Sequence, residues 1–265
     1  MERREFIASS LAASALAVVS SSEYLHAATG TGREFYQLRL YRLVNGPQRK
    51  SVDGYFRDAL IPALNRLGIT PVGVFNLTIG PETPTVYVLM PSLSLETLIT
   101  VEGRLAQDAE YMNAGAPFLN TPAERPPFDR IDSSLLQAFE KMPRLKVPPA
   151  TANHGARIFE IRTYESATDQ DHRRKVEMMQ SGEEKIFDDA GFFQVFYGDM
   201  LVGSRLPNLT YMLSYENMAA RDKAWAAFIS APAWKKLSSD QRYAFEEIVS
   251  KITNAILTPA DYSQI

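Results

Sequence analysis

The feature of the sequence that most constrains the fold is an internal repeat. The segment Phe35–Tyr41 (FYQLRLY) returns as Ile158–Tyr164 (IFEIRTY), 123 positions later. Gly68 and Gly191 are separated by the same 123 positions. A constant spacing across strand-like and turn-like segments predicts that one module has been used twice.

The repeat continues into a further strand-like segment. Tyr87 aligns with Tyr211, and Leu89 with Leu213, at a spacing of 124 positions. We therefore expect two domains of about 110 residues each, which is an ordinary domain size. They are expected at 34–143 and 156–262, with the proline-containing segment 146–155 as a linker.

Residues 1–28 have the layout of a bacterial export signal. Arg3 and Arg4 precede an apolar stretch of about 12 residues, which is shorter than the roughly 20 that a membrane-spanning helix needs. The Arg-Arg-x-Phe-Ile order resembles a twin-arginine signal, and this predicts a periplasmic or extracellular bacterial protein. The alternative is an amphipathic anchor, or a lipid-embedded helix that is left uncleaved.

Composition excludes several classes of protein. The chain has no cysteine, which excludes disulfides, thiolate metal sites and a cysteine nucleophile. It has 28 basic and 31 acidic residues, without the basic stripe that a nucleic-acid-binding protein needs. No second apolar run is long enough to span a bilayer, so we expect no membrane contact after the signal is cleaved.

Hydrophobic periodicity predicts the same order of elements in both copies. In the first copy, strands are expected at 35–43, 71–79, 85–90 and 131–139, and helices at 52–67 and 94–112. In the second copy, strands are expected at 157–165, 192–202, 209–215 and 248–257, and helices at 169–190 and 218–228. Pro62 is expected to kink or split the first helix.

This β-α-β-β-α-β order is that of a ferredoxin-like unit, whose antiparallel sheet carries helices on one face only. The bare faces of two such units can cover one another. The predicted fold is therefore α+β, with two ferredoxin-like repeats packed sheet to sheet as an α+β barrel within one chain. Because one chain supplies both halves, a monomer and a homo-oligomer are both compatible with the sequence.

The second copy carries a set of motifs that resembles the NIPSNAP family. Ile158–Tyr164 is similar to the F/Y-E-L-R-x-Y opening of that family, and Gly191 precedes an aromatic-rich strand. Asn208–Glu216 and Arg221 follow in the expected order. Ala231–Trp234 then resembles the family's D-P-x-W segment.

The first copy is more divergent, since it keeps Arg39 and Tyr41 but has Gln37 in place of Glu160. The resemblance implies the dimeric α+β barrel fold, whose superfamily includes haem-degrading oxygenases and cofactor-free quinone-forming oxygenases. It implies no agreed enzymatic role, and a function taken from distant barrel relatives is an analogy.

Strand alternation predicts the candidate site. Three polar residues of the first strand in each copy share one face, opposite Leu38 and Leu40 in the first copy and Phe159 and Ile161 in the second. We expect the apolar face to pack on the helices and the polar face to line the barrel interior, where a buried arginine needs acceptors. The candidate ligand-binding residues are Gln37, Arg39, Tyr41, Glu160, Arg162 and Tyr164.

Two interpretations of these six residues remain open. In the first, they form a satisfied polar network that fixes how the two copies dock. In the second, they line a pocket in which guanidinium groups hold an anionic or enolate-like oxygen. The aromatic segment Phe192–Tyr197 is likewise either ordinary strand packing or a wall for a planar ligand.

Histidine, which haem and metal sites usually need, is scarce. His26 lies in the leader, His154 in the linker, and His172 in a basic helix start that is typical of a solvated face. The sequence shows no metal-ligand spacing, phosphate loop or nucleophile elbow. We therefore expect no metal and no cofactor.

These observations support two functions. The first is an exported NIPSNAP-like protein without assigned catalytic activity, which binds a small apolar or aromatic ligand or a protein partner. The alternative is a cofactor-independent oxygenase or isomerase that acts on an aromatic or quinone-like substrate in the barrel lumen. The sequence does not decide between a binding protein and an enzyme.

Overall fold

The computed structural model describes residues 32–44, 46–244 and 248–265. The export signal predicted at 1–28 lies outside these residues. Within them, eight strands are found: β1 (Phe35–Arg42), β2 (Gly73–Ile79), β3 (Thr85–Ser92), β4 (Arg130–Ala138), β5 (Ile158–Glu165), β6 (Phe193–Val202), β7 (Asn208–Tyr215) and β8 (Lys251–Pro259).

The strands close into an antiparallel barrel in the order β1-β3-β2-β8-β5-β7-β6-β4. The first copy contributes the neighbouring strands β4-β1-β3-β2, and the second contributes β8-β5-β7-β6, which is the ferredoxin-like order in each case. The two sheets join where β2 pairs with β8 and β4 pairs with β6. The predicted α+β barrel of two ferredoxin-like repeats is confirmed.

The helices follow the same repeat. They are α1 (Gln48–Tyr55), α2 (Ile61–Arg66), α3 (Leu95–Ile99), α4 (Val101–Leu105), α5 (Ala109–Leu119), α6 (Asp169–Met178), α7 (Glu184–Asp189), α8 (Met218–Ser230) and α9 (Pro232–Ser238). In the described part of the chain, no helix is long and apolar enough to cross a membrane.

One irregularity is repeated in both copies. A π-helical turn at Phe56–Leu60 joins α1 to α2, and another at Met179–Glu183 joins α6 to α7, 123 positions later. Pro62 lies in the first turn of α2, where its missing N–H is tolerated, but it is not the cause of the widened turn, because Lys185 stands at the matching position of the second copy. Such turns are rare and are often found at functional sites.

The faces of the strands are reversed from the sequence-based expectation. Leu38 and Ile161 belong to the hydrophobic core inside the barrel, whereas Tyr41 and Tyr164 pack with residues of the helices. The expectation that the polar face lines the lumen was therefore wrong. Both faces of each sheet are buried, so alternation groups the residues correctly but does not indicate which group faces which layer.

The alignment of the third strands was also wrong by one residue. Arg39 pairs with Val88, and Arg162 pairs with Tyr211, so the structural counterpart of Tyr211 is Val88, at the same spacing of 123. Tyr87 instead faces the barrel interior. A shift of one position exchanges the two faces of a strand, and this places Tyr87 and Tyr211 in different layers.

Candidate functional site

All six predicted site residues lie on the strand face that meets the helices. In the second copy, Glu160 is fully buried, and among the described residues five side chains donate hydrogen bonds to its carboxylate. They are Arg162, Tyr215, Arg221, Trp225 and Asn254. The donors come from β5, β7, α8 and β8, so the carboxylate ties helix α8 to the sheet.

Arg221 binds the Glu160 carboxylate through two hydrogen bonds. Its Nε donates to Glu160 Oε2 at 2.9 Å and its Nη2 to Oε1 at 2.8 Å, which is the two-point geometry that guanidinium favours. Burial alone raises the pKa of Glu160, but the hydrogen bonds from Arg221, Trp225 and Asn254 and the charge of Arg162 outweigh it. The pKa falls to about 2, so the group is ionised at neutral pH.

The network extends along β5 to a pair of tyrosines. Nε and Nη2 of Arg162 donate to the Tyr164 hydroxyl at 3.3 and 3.2 Å, and the Tyr211 hydroxyl donates to Tyr164 at 2.8 Å. The guanidinium of Arg162 also lies 4.5 Å from the ring centre of Trp225. Every charge of this cluster has a partner, which favours the interpretation of these residues as a docking network.

The same layer of the first copy has fewer charges. Arg39 Nη1 lies 2.5 Å from Glu102 Oε1, and the Glu102 side chain is mostly exposed. Arg39 also donates to Gln37, and Gln37 donates to Ser133 on β4. The carboxylate that neutralises the strand arginine therefore comes from a helix in this copy and from the strand itself in the other.

A second buried ion pair joins α6 to the π-helical turn of the second copy. Lys175 Nζ donates to Glu183 Oε2 at 2.7 Å, and both side chains are almost completely buried. The Lys175 ammonium also lies 5.3 Å from the ring centre of Tyr164, so the pair adjoins the network of Arg162.

The barrel interior differs at its two ends. At one end, four buried aromatic residues pack in pairs, Tyr36 against Phe196 and Phe75 against Phe159. At the other end, a cavity of about 480 Å³ is present. Its apolar part includes Leu38, Leu40, Tyr87, Ile161, Met200 and Ala255.

The polar part of the cavity is built from both copies. It includes Thr163, Thr210, Thr253, Asn208, Ser133 and Ser134, with Arg42, Asp132 and Arg205 near the opening. Asn208 is fully buried, and its Nδ2 donates to the carbonyl oxygens of Ser204 and Arg205. Its Oδ1 has no hydrogen-bond partner among the described residues.

The arginines at the opening are each matched by acids. Arg42 lies 2.6 Å from Glu82 and 2.9 Å from Asp132, while Arg205 Nη1 donates to Glu165 at 3.1 Å. Arg205 Nη1 also donates to Thr253 Oγ1 at 2.9 Å. The lumen thus presents arginine and tyrosine, but these are Arg42, Arg205 and Tyr87 rather than the residues expected from the sequence.

The sequence predicts that His172 lies on a solvated helix face, and this prediction is wrong. His172 is buried, and its Nε2 lies 2.7 Å from Asp199 Oδ1, which links α6 to β6. The described residues contain no group of three or more His, Cys, Asp or Glu side chains placed to hold a metal ion. The segment Phe192–Tyr197 packs on both faces, since Phe192 and Tyr197 contact the helix layer and Phe196 the barrel core.

Comparison with known families identifies the chain. The sequence model of the NIPSNAP family matches residues 36–123 and 159–264, one segment in each copy. The chain belongs to the NIPSNAP family. No curated protein sequence matches it.

Solved structures share the fold of this NIPSNAP protein. A candidate monooxygenase from Lactobacillus acidophilus NCFM is 7% identical and superposes with a TM-score of 0.56 over 86% of this chain and 94% of its own. A candidate monooxygenase from Fusobacterium nucleatum subsp. nucleatum ATCC 25586 is 10% identical, with a TM-score of 0.55 over 87% and 94%. An anthrone oxidase-like protein is 12% identical, with a TM-score of 0.50 over 86% and 92%. At these identities the likeness shows the fold alone.

Sequence reasoning missed the residues that line the cavity. The spacing of 124 positions pairs Tyr87 with Tyr211, which lies on the opposite face, and Arg205 and Asn208 fall between the strands predicted at 192–202 and 209–215. Arg205 has a φ of 61°, an unusual conformation for a residue other than glycine, and such strain is found at functional positions. The sequence carries no signal for that conformation.

Proposed function

We propose that this NIPSNAP protein binds a small apolar or aromatic molecule in the cavity at the open end of its barrel. The observation that carries the proposal is the cavity itself, since the other end of the same lumen is filled by aromatic side chains. A volume of about 480 Å³ lies within the range of about 300–1,000 Å³ that is typical of small-molecule sites. Apolar residues with a few converging polar groups are the usual lining of such sites.

The helix–sheet network around Glu160 is the less favourable candidate for a binding site. Its carboxylate is saturated by hydrogen bonds from protein groups, so a ligand would have to displace strong charge-assisted bonds. The cavity instead is enclosed mainly by apolar side chains and uncharged hydroxyl groups, so a ligand can enter it without breaking the ion pairs of that network.

A catalytic form of this proposal is favoured by the names of the structural neighbours, which include candidate monooxygenases and an anthrone oxidase-like protein. In that form, the cavity would hold an electron-rich aromatic substrate while dissolved oxygen serves as the oxidant. Donors such as Tyr87 and Arg205 would stabilise negative charge that develops on a substrate oxygen.

The test is a pair of matched substitutions. Leu40 lines the cavity, whereas Leu201 is exposed on the outside of the barrel. We expect Leu40→Trp to fill the cavity and weaken the binding of 2-naphthol by at least about tenfold, and Leu201→Trp to leave it unchanged. Calorimetric titration measures the affinity, and an oxygen electrode reports consumption in the same samples. Equal affinity in both variants, or no measurable binding to the unmodified protein, would contradict the proposal.

A further inference from the structure

One wall of the cavity carries a row of three threonines. Thr163 on β5 pairs with Thr210 on β7 and with Thr253 on β8, so the three side chains stand side by side and face the lumen. Neighbouring strands lie about 4.8 Å apart, which sets the spacing along the row. Thr210 is almost fully buried, whereas Thr163 and Thr253 are only partly buried and line the cavity, so a molecule inside it can contact both.

The opposite wall belongs to the first copy and has different side chains. In the barrel order, β1 and β5 are four strands apart in either direction. Leu40 on β1 pairs with Tyr87 on β3, and together they line the cavity with aliphatic and aromatic surface. An eight-stranded barrel is wide enough for only one small ligand. An aromatic ring that packs on Leu40 and Tyr87 therefore directs its substituents towards the threonine row.

Thr253 differs from its neighbours in the row by its partner. The hydroxyls of Thr163 and Thr210 bond to each other at 2.8 Å, whereas Thr253 Oγ1 accepts from Arg205 Nη1 at 2.9 Å. Because the oxygen presents a lone pair to the guanidinium, its O–H points away from Arg205. That proton has no acceptor among the described residues. The Thr253 hydroxyl is therefore a donor that a molecule in the cavity can use.

We propose that Thr253 recognises the ligand, and that this ligand is an uncharged aromatic molecule whose carbonyl oxygen accepts a hydrogen bond from the Thr253 hydroxyl. This inference rests on the proposed binding function and names the class of ligand. A carbonyl group fits because it accepts hydrogen bonds and donates none, and Thr253 offers a donor. The bond from Arg205 also polarises the Thr253 hydroxyl, which strengthens it as a donor.

The ion pairs at the opening favour an uncharged ligand. Arg42 is paired with Glu82 and Asp132, and Arg205 with Glu165. A carboxylate that entered the cavity would lose its hydration and compete with these protein carboxylates for the same guanidinium groups. A ketone loses less hydration and still presents an oxygen to the threonine row.

Three naphthalene probes of similar size test the inference by fluorescence titration. The ketone 2-acetylnaphthalene carries the carbonyl, 2-ethylnaphthalene lacks it, and 2-naphthoate replaces it with a charged carboxylate. We expect Thr253→Val, which exchanges the hydroxyl for a methyl group, to weaken the ketone by about fivefold, the worth of one hydrogen bond, and to leave 2-ethylnaphthalene unchanged. Thr253→Ser keeps the hydroxyl and should bind the ketone as the unmodified protein does. In the unmodified protein, 2-naphthoate should bind at least about tenfold more weakly than the ketone.

Thr258→Val is the matched control. Thr258 lies on the same strand as Thr253, but it follows Leu257 of the barrel core and so points to the opposite face, where it bonds to Thr78. This variant also removes a hydroxyl from a strand threonine, and it should leave the affinity of the ketone unchanged.

Several outcomes would overturn the inference. They are an equal weakening of the ketone and 2-ethylnaphthalene in Thr253→Val, an equal loss in Thr258→Val, ketone binding that Thr253→Ser does not preserve, and 2-naphthoate binding as tightly as the ketone. A ketone affinity that is unchanged in Thr253→Val but lost in Leu40→Trp would overturn only this inference. Probes insensitive to Leu40→Trp would overturn the proposed function itself.

Discussion

Between the helices and the sheet, the two copies have the same backbone structure, but matching buried positions are apolar in the first copy and charged in the second. In the first copy, Val52 of α1 and Leu60, the last residue of the π-helical turn, are both buried. At the positions 123 residues later, Lys175 and Glu183 form a buried ion pair. The same widened turn is therefore compatible with an apolar pair and with an ionic pair, so the ion pair is not what creates it.

The strand that runs beneath these helices differs in the same way. Gln37 of the first copy stands where Glu160 stands in the second, and the helix position occupied by Glu102 in the first copy is occupied by Trp225 in the second. The second copy thus depends on a saturated carboxylate at its centre, while the first relies on apolar packing and one half-exposed ion pair. The fold therefore requires only that this layer be well packed, and the two copies meet that requirement with different side chains.

The largest effect is expected from removing the central carboxylate. Glu160→Ala leaves two guanidinium groups without their shared anion in a buried site, so the free energy of unfolding should fall by about 3–5 kcal/mol. Gln37→Ala at the matching position should cost less, about 1–2 kcal/mol, because it removes one hydrogen bond from Arg39 and one to Ser133 while Arg39 keeps its ion pair with Glu102. Urea denaturation of both variants measures the comparison, and equal losses would show that the two layers do not differ as described.

Lowering the pH should reduce the stabilisation that Glu160 contributes to the second copy. The pKa of Glu160 is lowered from 4.5 to about 2, so the ionised carboxylate contributes stability above about pH 4.5, and that contribution is lost as the pH falls towards 2. The gap in unfolding free energy between the unmodified protein and Glu160→Gln should narrow by about 3 kcal/mol over this range. Denaturation curves at a series of pH values test it, and a gap that is constant from pH 5 to 2 is the contrary result.

A smaller change in the free energy of unfolding is expected from replacing the Lys175–Glu183 pair. Lys175→Val and Glu183→Leu each leave one buried charge, while the double variant copies the apolar pair of the first copy. The double variant should therefore be more stable than the sum of the single losses predicts, by about 1–3 kcal/mol. A double-mutant cycle from urea denaturation measures this coupling, and strictly additive losses would mean that the two groups do not stabilise one another.

Much of the fold follows from local patterns. The predicted strands lie within a few residues of those observed, because alternation, glycine and proline mark them directly. The repeat also predicts the barrel, since a sheet with one bare face needs a second sheet. The linker and domain boundaries stay predictions, as does the export signal.

The site was harder to predict because its partners are distant in sequence. Glu160 is close to Arg162 in the strand, but Arg221, which binds it with two hydrogen bonds, lies on α8, and Asn254 lies on β8. Strand alternation contains no information about such contacts. For the same reason, the lining of the cavity, which both copies supply, could be recognised only from the structure.

The joining of the two sheets in one polypeptide has a consequence for the cavity. A chamber between two identical subunits must present every group twice, related by a twofold axis. Here the axis is only approximate, and the paired positions have diverged: Leu40 is matched by Thr163, and Tyr87 by Thr210. Duplication within one chain has thereby released the chamber from exact symmetry, so its opposite walls present different chemical groups.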